Sequence, residues 1–157
     1  MTKSSIIGLF LGAAAVAVAA AAGWTFWPSP STGSADPDNP RQVTLGETVY
    51  RENCASCHGA KLEGQANWKI RKPDDRLPAP PHDETGHTWH HPDDQLIRIT
   101  KLGLKPPLAP EGYQSDMPAF GAFLTDEQIW AVLAFIKSRW PADIRTRQNV
   151  LNQRASR

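Results

Sequence analysis

Both cysteines of this chain fall in one five-residue stretch, Cys54-Ala55-Ser56-Cys57-His58. Two thiols three positions apart, with an imidazole directly behind the second, match the attachment site of a c-type haem. Two thioether links hold the porphyrin vinyl groups, and the adjacent histidine reaches the iron. The competing uses fit poorly. A zinc site takes about four protein ligands, so two more would have to converge from elsewhere. A thioredoxin-like redox pair belongs in a βαβ pattern, and no stretch here is rich in strand signals. A disulfide across two intervening residues would leave His58 unexplained. A haem is large, flat and apolar. It would fill the thin core of a small domain that contains most of the chain's 14 prolines, which couples folding to cofactor attachment.

Attachment of this kind takes place on the outer side of an energy-transducing membrane, so the chain must be exported. Residues Ile6 to Trp27 form an uncharged, largely apolar run with Lys3 before it and no further charge until Asp36. Its length suits a bilayer span, which takes about 20 residues. Lys3 orients the N-terminus inward. Ala20-Ala21-Ala22 would suit a signal-peptidase cut, whereas Trp24-Thr25-Phe26-Trp27 would suit an outer interfacial belt. The belt favours a retained anchor in a bacterial inner membrane with the haem domain facing the periplasm; a soluble periplasmic form after cleavage is the alternative. Residues 1–27 are thus read as the anchor or signal. Residues 28–40, rich in Pro, Ser, Gly and Asp, form an extended linker. Residues 41–143 form the folded domain, and 144–157 a basic, frayed, solvated tail.

Helix signals in the domain are sparse but well placed. Val43 to Cys54 runs into the motif with Val43, Gly46, Val49 and Tyr50 on one face. Asp93 to Leu102 is begun by Pro92 and ended by Gly103, with Leu96, Ile97 and Ile99 inward. Thr125-Asp126-Glu127-Gln128 reads as a capping box. Ile129, Trp130, Val132, Leu133, Phe135 and Ile136 follow as a broad apolar face, which Pro141 stops. The class expected is all-α, with helices and long loops wrapped around one haem.

His58 supplies one axial ligand. Of two methionines, Met1 is the initiator, and Met117 stands in a polar loop, Ser115-Asp116-Met117-Pro118, just before the last helix of the domain. A thioether on iron favours the ferrous state, so Met117 is the candidate sixth ligand. A core gap-filler is the alternative use of a lone methionine.

From Gly46 to Arg139 the chain resembles the class I cytochrome c family. The resemblance is carried by Gly46 and Tyr50 in the first helix, Cys54, Cys57, His58 and Gly59 at the motif, Met117-Pro118 in the loop, and Val132, Leu133, Phe135 and Ile136 in the last helix. It implies a soluble, mono-haem electron carrier; with both axial sites filled nothing is left open for a substrate, so the chain is not read as an enzyme. It also implies that a proline carbonyl, from the run Pro78-Ala79-Pro80-Pro81, accepts the hydrogen bond of the proximal imidazole.

The departure from that pattern is a histidine cluster: His82, His87, His90 and His91, with Trp89 among them. It could bind copper, since imidazole suits that metal, which would make the chain a copper-handling protein. Alternatively these side chains line a loop at the haem edge, with Trp89 at the rim, or one of them replaces Met117 on the iron. Setting aside Lys3 and the four arginines of the tail leaves 12 basic residues against 16 acidic ones over residues 28–143, so the domain is mildly acidic. Such a face suits weak, electrostatically steered redox partners. Nothing in the pattern indicates nucleic acid, a small-molecule substrate, a phosphate loop or a nucleophile elbow.

Overall fold

The computed structural model describes residues 33–157. The run Ile6–Trp27, and with it the reading as an anchor, lies outside the described residues, as does the first part of the linker. Among the described residues no helix is long and apolar enough to cross a membrane. There is also no strand among them, and the fold is all-α.

Helix α1 spans Pro40–Asn53. The Asn39 side chain accepts the N–H groups of Arg41 and Gln42 at 3.1 and 3.2 Å, and Pro40 occupies the first helical position, where its missing N–H costs nothing. The helix therefore starts three residues before Val43, because the cap sets the start and the apolar stripe does not. A single turn, α2 (Ala55–His58), carries the cysteine motif and ends at Gly59, whose φ of 82° a side chain would resist. Helix α3 covers Asp93–Leu102, as the flanking proline and glycine indicated. Helix α4 covers Asp126–Ser138, and both hydrogen bonds of the Thr125–Gln128 capping box are present. Short 3₁₀ turns at Thr88–His90 and Phe120–Ala122 punctuate the loops.

The core is the crossing of α1 over α4. Val49 and Tyr50 pack against Val132, Phe135, Ile136 and Trp140. At the crossing a Cβ on Gly46 would lie 1.9 Å from the Ala131 carbonyl oxygen, so the two backbones touch. A second cluster joins Ile97 to Ile129, Leu133 and Ala134.

Two segments differ from the sequence reading. Ala35, inside the expected linker, is buried in that second cluster. The Gln42 side chain donates to the Ser34 carbonyl and accepts the Asp36 N–H, at 2.9 and 2.8 Å, so the chain is already held against the domain at 34–36. The basic tail is a helix, α5 (Ala142–Ala155), not a frayed end. Ile144 sits in the main core. Gln148 is fully buried and donates to the His91 carbonyl and to the Asp93 carboxylate. Asn152 accepts the Asp93 N–H at 2.7 Å. The same carboxylate pairs with Lys137 at 2.8 Å, with only 4% and 16% of the two side chains exposed. A helix with little apolar character is thus secured through polar groups, which periodicity does not reveal.

Gly46→Ala forces the helices apart and should cost roughly 2 kcal/mol or more, read as a lower denaturation midpoint of the haem-loaded protein. Asp93→Ala leaves Lys137 buried without a partner. It should cost about 3 kcal/mol, with much of the loss recovered when Lys137→Met is added; paired urea titrations check both.

Candidate haem site

The motif is presented at the junction of α1 and α2. Both cysteines are free thiols, Cys54 half-buried and Cys57 exposed. Burial, and then the neighbouring Cys57, pushes the Cys54 thiol up to about 11, so it is neutral near physiological pH. The Tyr50 hydroxyl, one turn before Cys54, donates to the Gly59 carbonyl at 2.8 Å and closes the motif from the core side. Burial raises the Tyr50 phenol above its ordinary value, reinforced by Cys54, which keeps that donor protonated.

The His58 Nδ1 lies 2.8 Å from the Pro80 carbonyl oxygen. A carbonyl only accepts, so Nδ1 carries the proton and Nε2 keeps its lone pair. Burial lowers the His58 pKa, with the Pro80 hydrogen bond acting against it. The resulting neutral tautomer is the one an iron ligand needs. Of the proline run, Pro80 is the member that accepts.

The histidine cluster divides. His82 packs face to face on the His58 ring, with centroids 4.0 Å apart and planes 21° from parallel. Burial, followed by the nearby His58 and His87, lowers its pKa well below the ordinary value. Stacked face to face on His58, His82 lies beside the candidate ligand and does not face it, which does not favour it as a second ligand to the same iron. His87 lies on Trp68 and meets the edge of His91, and its pKa is lowered by burial and then by His91. His90 stacks on Trp89 at 3.7 Å. The Trp89 indole donates to the Glu84 carbonyl at 3.3 Å, which occupies the N–H expected at a haem rim. Among the described residues no three His, Cys, Asp or Glu side chains converge to hold a metal ion, and nothing there supports the copper reading.

Met117 is half-buried in the loop between α3 and α4, its N–H bonded to the Ser115 hydroxyl at 3.1 Å. It lines an open cleft of about 470 Å³ with Arg76, Leu102, Lys105, Tyr113 and Ser115, among others; Cys54, Cys57 and His58 do not line it. The loop is gripped by an excursion of the chain at 65–79. Lys72 and Arg76 each reach the Asp116 carboxylate at 2.6 Å, and the Lys72 hydrogen bond holds that carboxyl below its usual range. The sequence reading passed over both basic residues, because nothing in their spacing points to a partner some forty positions away.

The donors present suit a haem. The two thiols are unbridged, the imidazole commits Nδ1 to Pro80 and leaves Nε2 for a ligand bond, and a thioether lies in a loop held by ion pairs. Arg76 adds an orphan: its Nε is buried with no hydrogen-bond acceptor, a position that a propionate carboxylate would satisfy.

The family model for cytochrome c matches residues 43–140. The chain belongs to the cytochrome c family. As a cytochrome c it takes a covalently attached c-type haem, and its helical architecture is consistent with class I. It is also similar to a cbb3-type cytochrome c oxidase subunit, FixP, of Sinorhizobium medicae (strain WSM419), at 28% identity over 96 residues. That match spans 61% of this cytochrome and 29% of the relative. No solved structure matches. Both likenesses support haem-based electron transfer.

Tyr50→Phe removes the bond to Gly59 while keeping the ring. It should lower the stability of this cytochrome by about 1 kcal/mol without changing haem content, as compared by thermal unfolding and pyridine haemochrome absorbance.

Proposed function

We propose that this cytochrome carries single electrons between respiratory redox proteins through one haem c, with Cys54 and Cys57 as the thioether sites and His58 and Met117 as axial ligands. The observation that carries the reading is the His58 geometry: Nδ1 is committed to Pro80 and Nε2 is left for iron. The bound haem supplies a one-electron ferric–ferrous couple. The protein's part is to hold and bias it. Cys54 and Cys57 fix the porphyrin's position along α2. Pro80 increases the donor strength of His58. Met117, a soft and weak donor, favours the ferrous state and raises the potential. The core around Tyr50, Phe135 and Trp140, on which Cys54 and Ala55 pack, would shield that side of the haem from water.

With both axial positions filled by the protein, no position is left for a substrate, and the chain acts as a carrier and not as an enzyme. The similarity to an oxidase subunit supports a respiratory partner, with the haem domain on the periplasmic side. The apolar run Ile6–Trp27 would serve as the membrane anchor. The acidic balance of the domain would favour partners with a basic docking face.

A redox titration of wild type against Met117→Ala tests the ligand set. Wild type should give one reversible one-electron wave at positive potential. The variant should fall by on the order of 0.2 V, within the roughly 0.8 V range over which axial ligands tune haem. A low potential that ignores the substitution would remove Met117 from the iron.

A further inference from the structure

We propose that His82 is a positioning residue for the proximal ligand: stacked on the His58 ring and held by Leu62, Thr88 and Trp140, it fixes the plane in which His58 meets the haem iron. The inference rests on His58 being that ligand.

The Nδ1–H···O=C bond to Pro80 selects the tautomer of His58 but is a single point of support. Rotation of an imidazole about its terminal torsion is broad, and a carbonyl tolerates a wide range of approach angles. A second contact, on the ring face, is what narrows the swing. His82 provides it: with the two rings 4.0 Å apart and 21° from parallel, any rotation of His58 drives its edge into the neighbouring face.

A buttress must itself be fixed, and His82 is held by three separate segments. Its N–H donates to the Leu62 carbonyl at 2.8 Å. Its carbonyl accepts the Trp140 indole N–H at 2.8 Å. Its Nδ1 and the Thr88 hydroxyl are 2.7 Å apart. Leu62, Thr88 and Trp140 are all buried, and the Tyr50 ring closes the site edge-to-face, its centroid 6.4 Å from that of His82. Leu62 is held at a φ of 71°, a left-handed conformation that costs a non-glycine residue energy. That conformation belongs to the turn whose carbonyl receives the His82 and Asp83 N–H groups. An aliphatic side chain at 82 could fill the same volume but would offer neither a flat face nor a handle for Thr88. The plane of the proximal imidazole decides which iron d orbital it overlaps, and so how unpaired spin is distributed over the porphyrin.

The test uses the full-length, haem-loaded protein as its ferric cyanide adduct. Cyanide replaces whichever group is the sixth ligand and is cylindrically symmetric, so the proton NMR shifts of the four haem ring methyls report the His58 plane alone. His82→Ala should change the order of the four methyl shifts or split them into two sets. His82→Phe, which restores a flat face, should return the wild-type order. If His82→Ala fails to load haem, Thr88→Val decides, because it frees the His82 ring while leaving both imidazoles in place; it should broaden or split the methyl signals. A wild-type methyl pattern in haem-loaded His82→Ala overturns the proposal, as does one in Thr88→Val where that variant decides. A wild-type spectrum lacking a hyperfine-shifted proximal imidazole would instead overturn the ligand assignment, and the positioning role with it.

Discussion

The haem domain depends on a backbone contact. At Gly46 helix α1 lies directly on the Ala131 carbonyl of α4, and no residue with a Cβ permits that approach. Because the helices meet there, Val49 and Tyr50, one turn further along α1, enter the core with Phe135 and Ile136. Tyr50 then reaches Gly59 beyond the motif. The position of the cysteines relative to the core is thus fixed by one small residue two turns upstream. Hydrophobic burial supplies the driving force, and the close contact sets the geometry.

From that crossing the support of the His58 imidazole is assembled from segments far apart in the chain. The Pro80 carbonyl lies 22 positions beyond His58 and accepts its Nδ1–H hydrogen bond. Trp140 lies 58 positions beyond His82 and anchors its carbonyl. A parallel arrangement serves the other candidate ligand: Lys72 and Arg76 hold Asp116, the residue before Met117. The two supports differ in kind. On the His58 side they are buried hydrogen bonds and ring contacts. On the Met117 side they are half-exposed ion pairs, which are individually weak and screened by salt. The structure is more firmly built around the histidine than around the thioether.

Much of this was legible in the sequence where a local signal has a local cause. The Thr125–Gln128 capping box, the Pro92 and Gly103 limits of α3 and the Gly46–Tyr50 face of α1 all behave as the pattern indicated. The readings that failed concern partners without local signature. The C-terminal helix carries a poor apolar stripe and docks through Gln148 and Asn152 onto Asp93; from sequence these are ordinary surface residues. Ala35 was hidden in a stretch whose composition suits a linker. The histidine cluster was visible as a cluster, but density along the chain is not convergence in space. His82 lies on the His58 ring, while His87, His90 and His91 find Trp68, Trp89 and Gln95.

The sequence alone determined the cofactor, because two thiols and an imidazole within five consecutive residues are close enough to hold one group together. It also determined the helical class, through caps and periodicities that act within a few residues. Tertiary structure decided which proline accepts the His58 hydrogen bond, which histidine lies against that ring, and that the basic tail belongs to the fold. Each of these is a contact between groups distant in sequence, specified only once α1 and α4 have closed on one another.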